Sequence, residues 1–237
     1  MKKKLVVIII LIFSIGIFYE YGRPIWKPIY QKVMGKESIS SIQEKLSESV
    51  FDRTRDDLSS AGFDKFPGEI LLVAYKHEKE LYLYGKNETG WKQINVYPFS
   101  NFSGGLGPKL KEGDKQIPEG IYKIEYLNPN SAYHLSLKVS YPNEYDKEKA
   151  ELENRTQLGG DIFIHGDNVT VGCIPLGDVA IEEVFIMATK AFNKDFKVII
   201  APYKFGNEFS PEIPNRTSWT DELYSKIEMD LREEGVR

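Results

Sequence analysis

The chain has 237 residues, of which 41% are hydrophobic, 28% charged and 13% aromatic, with a formal net charge of -4. That balance belongs to a folded globular chain and excludes a largely disordered one. Mild acidity without a basic stripe excludes nucleic acid as a partner.

At the N-terminus, Lys2, Lys3 and Lys4 precede a run from Leu5 to Tyr19 that is apolar but for Ser14. A basic start followed by such a run is an export signal, with the lysines kept in the cytoplasm and the rest exported. No small-x-small cleavage site follows, since the next residues are Glu20, Tyr21, Gly22 and Arg23. Residues 1–20 are therefore expected to remain as an anchor in the inner membrane, holding the rest in the periplasm or cell wall, with secretion as the alternative. Residues 21–66 read as a stalk with helical pieces, in which Ile39, Ile42, Leu46 and Val50 share one helical face. Pro67-Gly68 ends it.

From Glu69 the texture changes to strands, and a domain is expected over 67–202. Ile70 to Tyr75, Leu81 to Tyr84 and Trp91 to Phe99 form a meander, with a turn over 85–90. A long loop with Gly104, Gly105, Gly107, Pro108, Gly113 and Pro118 follows, and loops of that length are usually functional. Strands resume over 121–127 and 133–141, and the polar stretch 143–154 is loop or short helix. Asp161 to Ile164 is a short buried strand. Asp178 reads as an N-cap for a helix with Ile181, Val184, Phe185, Ala188 and Phe192 on its apolar face. Phe196 to Ala201 is a last core strand. Residues 203–237 form a tail with a polar helix, with Ser218 and Asp221 in capping-box spacing. The whole is mainly β with flanking helices, an α+β chain.

Cys173 is the one cysteine, so it forms no internal disulfide, and an idle thiol is unusual in an exported protein. It follows Thr170-Val171-Gly172, seven residues after the strand-end pair His165-Gly166. The intervening loop is long enough to fold back and bring His165 to Cys173. An adjacent imidazole lowers a thiol's pKa and takes its proton. The backbone N–H groups of Gly172 and Cys173 are natural oxyanion donors. No Asp or Asn is spaced to orient His165, which leaves a backbone carbonyl, that of Gly166. A zinc site from His134, His165 and Cys173 lacks any paired-ligand spacing. The glycines at 104–107 lack the Lys-Ser/Thr of a phosphate-binding loop. No cofactor is expected.

Five stretches in order resemble the L,D-transpeptidase catalytic domain of the YkuD type. They are Gly107-Pro108-Lys109 with Glu112-Gly113-Asp114, Pro118-Glu119-Gly120-Ile121-Tyr122, His134-Leu135-Ser136-Leu137 running to Tyr141-Pro142-Asn143, Phe163-Ile164-His165-Gly166, and Thr170-Val171-Gly172-Cys173. The resemblance implies a sandwich-like domain, with Cys173 as nucleophile, His165 as base and Gly172 in the oxyanion hole. It implies peptidoglycan stem peptides as substrate, attacked at the carbonyl of the third residue with loss of D-Ala. Tyr141, Asn143, His134, Lys109 and Glu119 are candidates to line the cleft. The family's second histidine is replaced by Val171, Ile174-Pro175 follow the cysteine, and the His165–Cys173 loop is short. These departures resemble the YafK-like branch, which implies a hydrolase that detaches a wall-linked lipoprotein as the alternative outcome. A non-catalytic wall-binding module is the remaining alternative.

Overall fold

The run that begins at Ile70 becomes the middle of an eight-stranded mixed sheet. A computed structural model describes residues 2–191, 196–206 and 211–236. The strands are β1 (Ile70–Tyr75), β2 (Glu80–Asn87), β3 (Gly90–Pro98), β4 (Gly120–Asn128), β5 (Ser136–Val139), β6 (Phe163–His165), β7 (Ile174–Pro175) and β8 (Lys197–Ala201). Their order is β3-β2-β1-β8-β4-β5-β6-β7, with β1–β8 and β6–β7 parallel.

All six residues of β1 are buried, because both faces of the sheet are covered there. The alternation of side chains sorts them. Ile70, Leu72 and Ala74 pack with the helices α3 (Ile39–Ser60) and α5 (Asp178–Ala191). Leu71, Val73 and Tyr75 pack with Trp219, Leu223 and Ile227 at the C-terminal helix α6 (Thr220–Glu233). The sandwich expectation called for two facing sheets. Instead there is one sheet, and β4 joins its two ladders with a register shift between Ile124 and Tyr126. Helices supply the second and third layers.

Residues 39–60, expected within a stalk, lie on the domain. Ile42, Val50 and Leu58 are buried in the same cluster as α5. Arg53 pairs with Glu182 and Glu183, and Gln43 donates to Thr189. Before it come α1 (Lys2–Tyr21) and α2 (Arg23–Met34). Among the described residues no helix is long and apolar enough to cross a membrane. The described apolar side chains of α1 from Ile8 to Tyr19 are exposed.

Several boundaries differ from the sequence reading. The 85–90 turn shrinks to residues 88–89, because Asn87 Oδ1 accepts the Thr89 N–H at 2.9 Å and closes a tight turn. The strand expected over 133–141 keeps only 136–139, since His134 has a φ of 71° that no strand allows. The polar stretch forms α4 (Glu144–Leu152), with Asn143 as its N-cap. Asp178 lies inside the first turn of α5 and bonds Asp167 and Arg23 rather than its own helix end. Phe192, expected on the apolar face of that helix, lies outside the described residues. Helix α6 is capped by Trp219 with no side-chain bond, not by Ser218. It is amphipathic, burying Leu223, Tyr224, Ile227 and Leu231. Two residues were too few for β7 to show a period.

Candidate active site

Strands β5, β6 and β7 build the site by simple alternation. Leu137, Ile164 and Ile174 pair across the three strands and are each 0% exposed, so one face belongs to the core. The opposite face then carries Ser136 and His165, which pair directly. The β6–β7 register matches Ile164 with Ile174, so one step back Cys173 stands beside Phe163. The Phe163 N–H donates to Cys173 Sγ at 3.4 Å. His165 and Cys173 therefore share a face and both line a cavity of about 300 Å³, together with Asn130, Tyr133, Ser136 and Phe163.

His165 is buried, and its ring lies 4.9 Å from that of Tyr133. Its Nδ1 is 2.5 Å from the Gly166 carbonyl oxygen. A carbonyl only accepts, so the proton sits on Nδ1 and the lone pair on Nε2. Burial pushes the His165 pKa down, and the bond to Gly166 opposes the shift without cancelling it. The ring is thus a neutral base.

The thiol departs from the sequence expectation. Burial pushes the Cys173 pKa up, against the opposing effects of the Phe163 N–H and the Lys138 charge. Cys173 Sγ donates to the Asp161 carbonyl at 3.5 Å, as a protonated thiol does. Cysteine and histidine are both neutral at rest, because the cavity desolvates both charged forms.

The expected oxyanion donors are engaged. The Gly172 N–H donates to Ser103 Oγ at 2.8 Å, and the Cys173 N–H to Thr170 Oγ1 at 3.1 Å. The Ser103 hydroxyl in turn donates to the Lys115 carbonyl at 3.0 Å. Gly172 has a φ of 87°, and a Cβ there would lie 2.9 Å from the Gln116 carbonyl oxygen. The conformation and the contact both require glycine. Segment 100–103 straps the 167–175 loop that carries Cys173. The Ser100 N–H donates to the Pro175 carbonyl, Ser100 Oγ to that of Asp167 and Asn101 Nδ2 to that of Asn168.

The other candidates lie elsewhere. His134 sits in the turn before β5 and pairs with Glu182 at 2.9 Å on α5, away from the cavity. Tyr141 is buried, its hydroxyl bonded to the Lys109 and Leu158 carbonyls. Asn143 caps α4 and donates to the Ile121 carbonyl. Lys109 pairs with Asp114 at 2.6 Å, bracing the 107–117 loop. Glu119 accepts from Lys76, the Gly107 N–H and the Tyr224 hydroxyl, all within the core. Each is a polar group satisfied inside the scaffold, which spacing alone does not distinguish from a cleft residue. Ser103, Lys138 and Asp161 escaped sequence reasoning: Ser103 reaches Gly172 across 69 residues, and only the strand register places Lys138 beside the site.

Comparison with known proteins places these residues in a family. The L,D-transpeptidase catalytic domain, YkuD, matches residues 69–200. YafK of Escherichia coli (strain K12), named as a provisional L,D-transpeptidase, is 31% identical over 140 residues, which is 57% of this chain and 54% of that protein. The chain thus matches about half the length of this curated relative. Among solved structures, the helical cell shape determining protein Pgp2 from Campylobacter jejuni aligns at 22% identity and a TM-score of 0.46, over 76% of this chain and 63% of that one. Bd1075 of Bdellovibrio bacteriovorus aligns at 20% identity and a TM-score of 0.42, over 73% and 58%.

Proposed function

Because the chain belongs to the YkuD family of L,D-transpeptidase catalytic domains, we propose that it is a cysteine acyltransferase acting on peptidoglycan stem peptides. The observation that carries this is the placement of His165, its Nδ1 fixed by the Gly166 carbonyl, and Cys173 on one cavity.

The reaction starts from the neutral pair. Nε2 of His165 takes the thiol proton as Sγ bonds to the carbonyl carbon of the third stem residue, so charge appears only as the bond forms. The developing oxyanion draws the Cys173 N–H from Thr170 Oγ1, because a charge-assisted bond is roughly twice as strong as a neutral one. Gly172 shapes the loop, its amide being held by Ser103. The C–N bond then breaks, and the His165 proton leaves with the departing amine. A thioester remains on Cys173. An acceptor amine resolves it to a new cross-link, or water resolves it to a free acid. Apart from its acceptor, the second half repeats the first in reverse.

The setting fits the wall. The N-terminal segment, with its lysines before Leu5 to Tyr19, tethers the domain to the inner membrane, and the domain works outside it. Wall-linked lipoprotein is a further substrate on the hydrolytic outcome.

The test uses residues 21–237 and its Cys173→Ala variant on purified sacculi, with muropeptides identified by mass spectrometry. New 3→3 cross-links or exchanged terminal D-amino acids that vanish in the variant establish transpeptidation. Cleaved amides without new bonds establish hydrolysis. No change in either sample, lipoprotein-bearing sacculi included, refutes the enzyme reading.

A further inference from the structure

The polarity of α2 is inverted with respect to the domain it touches. Its cations face inward. Arg23 pairs with Asp178 at 2.7 Å, and Lys27 Nζ donates to the His134 carbonyl at 3.0 Å. Burial pushes the Lys27 pKa down to about 8, a shift that water would not impose. The apolar side chains face outward. Ile25, Ile29 and Val33 are 64%, 63% and 76% exposed, and their spacing of four places them in one stripe along the helix. A helix docked on a protein in water does the reverse, with its apolar stripe against the core and its charges outside.

The surroundings of the stripe identify what covers it. It continues from α1, where the described apolar side chains from Ile8 to Tyr19 are also exposed. The two helices part at Gly22, where a Cβ would collide with the Phe18 carbonyl. Across that break Trp26 stacks on Tyr19 with ring centres 5.1 Å apart and donates to the Tyr19 carbonyl at 3.0 Å. Tyr30 meets Trp26 edge-on at 6.3 Å. Tyr and Trp concentrate at the level of lipid headgroups, where an apolar ring and a polar tip are both satisfied. Lys32 is exposed at the edge of the stripe, where an ammonium suits anionic headgroups.

Resting on the membrane tether proposed above, we infer that α2 lies in the bilayer interface, with Ile25, Ile29 and Val33 among the acyl chains and Arg23 and Lys27 holding the domain. Interfacial helices sink their apolar face about 5–10 Å into that boundary. The seat also orients the candidate site. Just past α2, the Glu37 N–H donates to Asn130 Oδ1 at 2.9 Å, and Asn130 Nδ2 donates to the Glu37 carbonyl at 2.7 Å. Asn130 lines the cavity of His165 and Cys173. The cavity is thereby held at a fixed height above the bilayer and works on the wall nearest the membrane, whereas a domain on an upright stalk would swing clear of it.

The experiment places a nitroxide at position 33 of the full chain, as Val33→Cys with Cys173→Ala, which removes the single native cysteine. The protein is reconstituted into vesicles of phosphatidylethanolamine and phosphatidylglycerol. An upright α2 would carry residue 33 about 15 Å beyond residue 23, into water. A helix in the interface keeps the label in lipid, where it should collide with oxygen several-fold more often than with a water-soluble nickel complex. A label at the exposed Ser40 should show the opposite preference. Ile25→Asp with Ile29→Asp changes only exposed side chains of α2 and should turn the position-33 label over to the nickel complex, while the chain still floats with the vesicles. A wild-type chain that floats with its position-33 label in water overturns the inference and leaves the tether standing. A chain that does not float overturns the tether and the inference with it. Spin–spin broadening between position-33 labels, with oxygen access lost, assigns the stripe to a second copy and overturns the lipid seat.

Discussion

Nδ1 of His165 lies 2.5 Å from the carbonyl oxygen of Gly166, the next residue in the chain. One backbone oxygen thus does the orienting work that a carboxylate does in many triads, and it adds no full negative charge to stabilise an imidazolium. With burial dominant, the His165 pKa falls below its ordinary value of 6.5. The acid limb of the kcat/KM profile should therefore have its midpoint below 6.5. The same shift has a stability sign. The folded pKa is depressed, so this contribution is present above pH 6.5 and lost as pH falls through the folded value. A midpoint above 6.5 that disappears in His165→Gln would contradict the neutral-base assignment.

The thiol should behave as a protonated one. Burial raises its pKa above the ordinary 9.0. Alkylation by iodoacetamide should be slow at neutral pH and climb only on the alkaline side of that value. Rapid neutral labelling with a plateau near pH 7 would show instead a preformed thiolate–imidazolium pair.

Gly172→Ala should cost about 1–3 kcal/mol of stability, from the left-handed backbone and the contact with the Gln116 carbonyl. Ser103→Ala leaves the Gly172 amide without its acceptor and should lower kcat several-fold, with the midpoint of thermal unfolding shifted little. Ser103→Thr keeps the hydroxyl and should restore turnover. If Ser103→Ala turns over as fast as wild type, the strap does not position Cys173.

Leu58 is 0% exposed in the cluster that α3 shares with α5. Leu58→Ala should therefore destabilise the domain by about 2–5 kcal/mol. Denaturant unfolding of residues 21–237 measures it, and a loss under 0.5 kcal/mol would mean that α3 is a detachable stalk in solution.

The Lys76–Glu119 pair is wholly buried, with Nζ and Oε1 2.9 Å apart. Lys76→Met strands a buried carboxylate and should cost about 3–5 kcal/mol, while Lys76→Met with Glu119→Gln should cost less. A double-variant loss equal to the sum of the Lys76→Met and Glu119→Gln losses would show that the two groups are not coupled.

Much of the scaffold was legible because local chemistry wrote it. The apolar run of β1 is unbroken because both of its faces are covered, and the spacing of Ile42 and Val50 follows the helix period. The juxtaposition of His165 and Cys173 was legible too, since a strand end and a seven-residue return leave few other places for the cysteine. What the sequence determined alone is the helical and strand periods and the motif order of the family.

Tertiary structure decided the rest, because the deciding contacts join residues far apart in the chain. Glu119 and Tyr141 have the composition of cleft residues, yet Lys76, Tyr224 and backbone carbonyls consume their polar atoms in the core. The protonation of the thiol follows from desolvation by the folded cavity, which no motif encodes. Lys138 and Cys173 are 35 residues apart in sequence, and only the register of three short strands puts them on one face beside Phe163. Register is a property of the assembled sheet. A slip of one residue would turn each of these side chains to the other face.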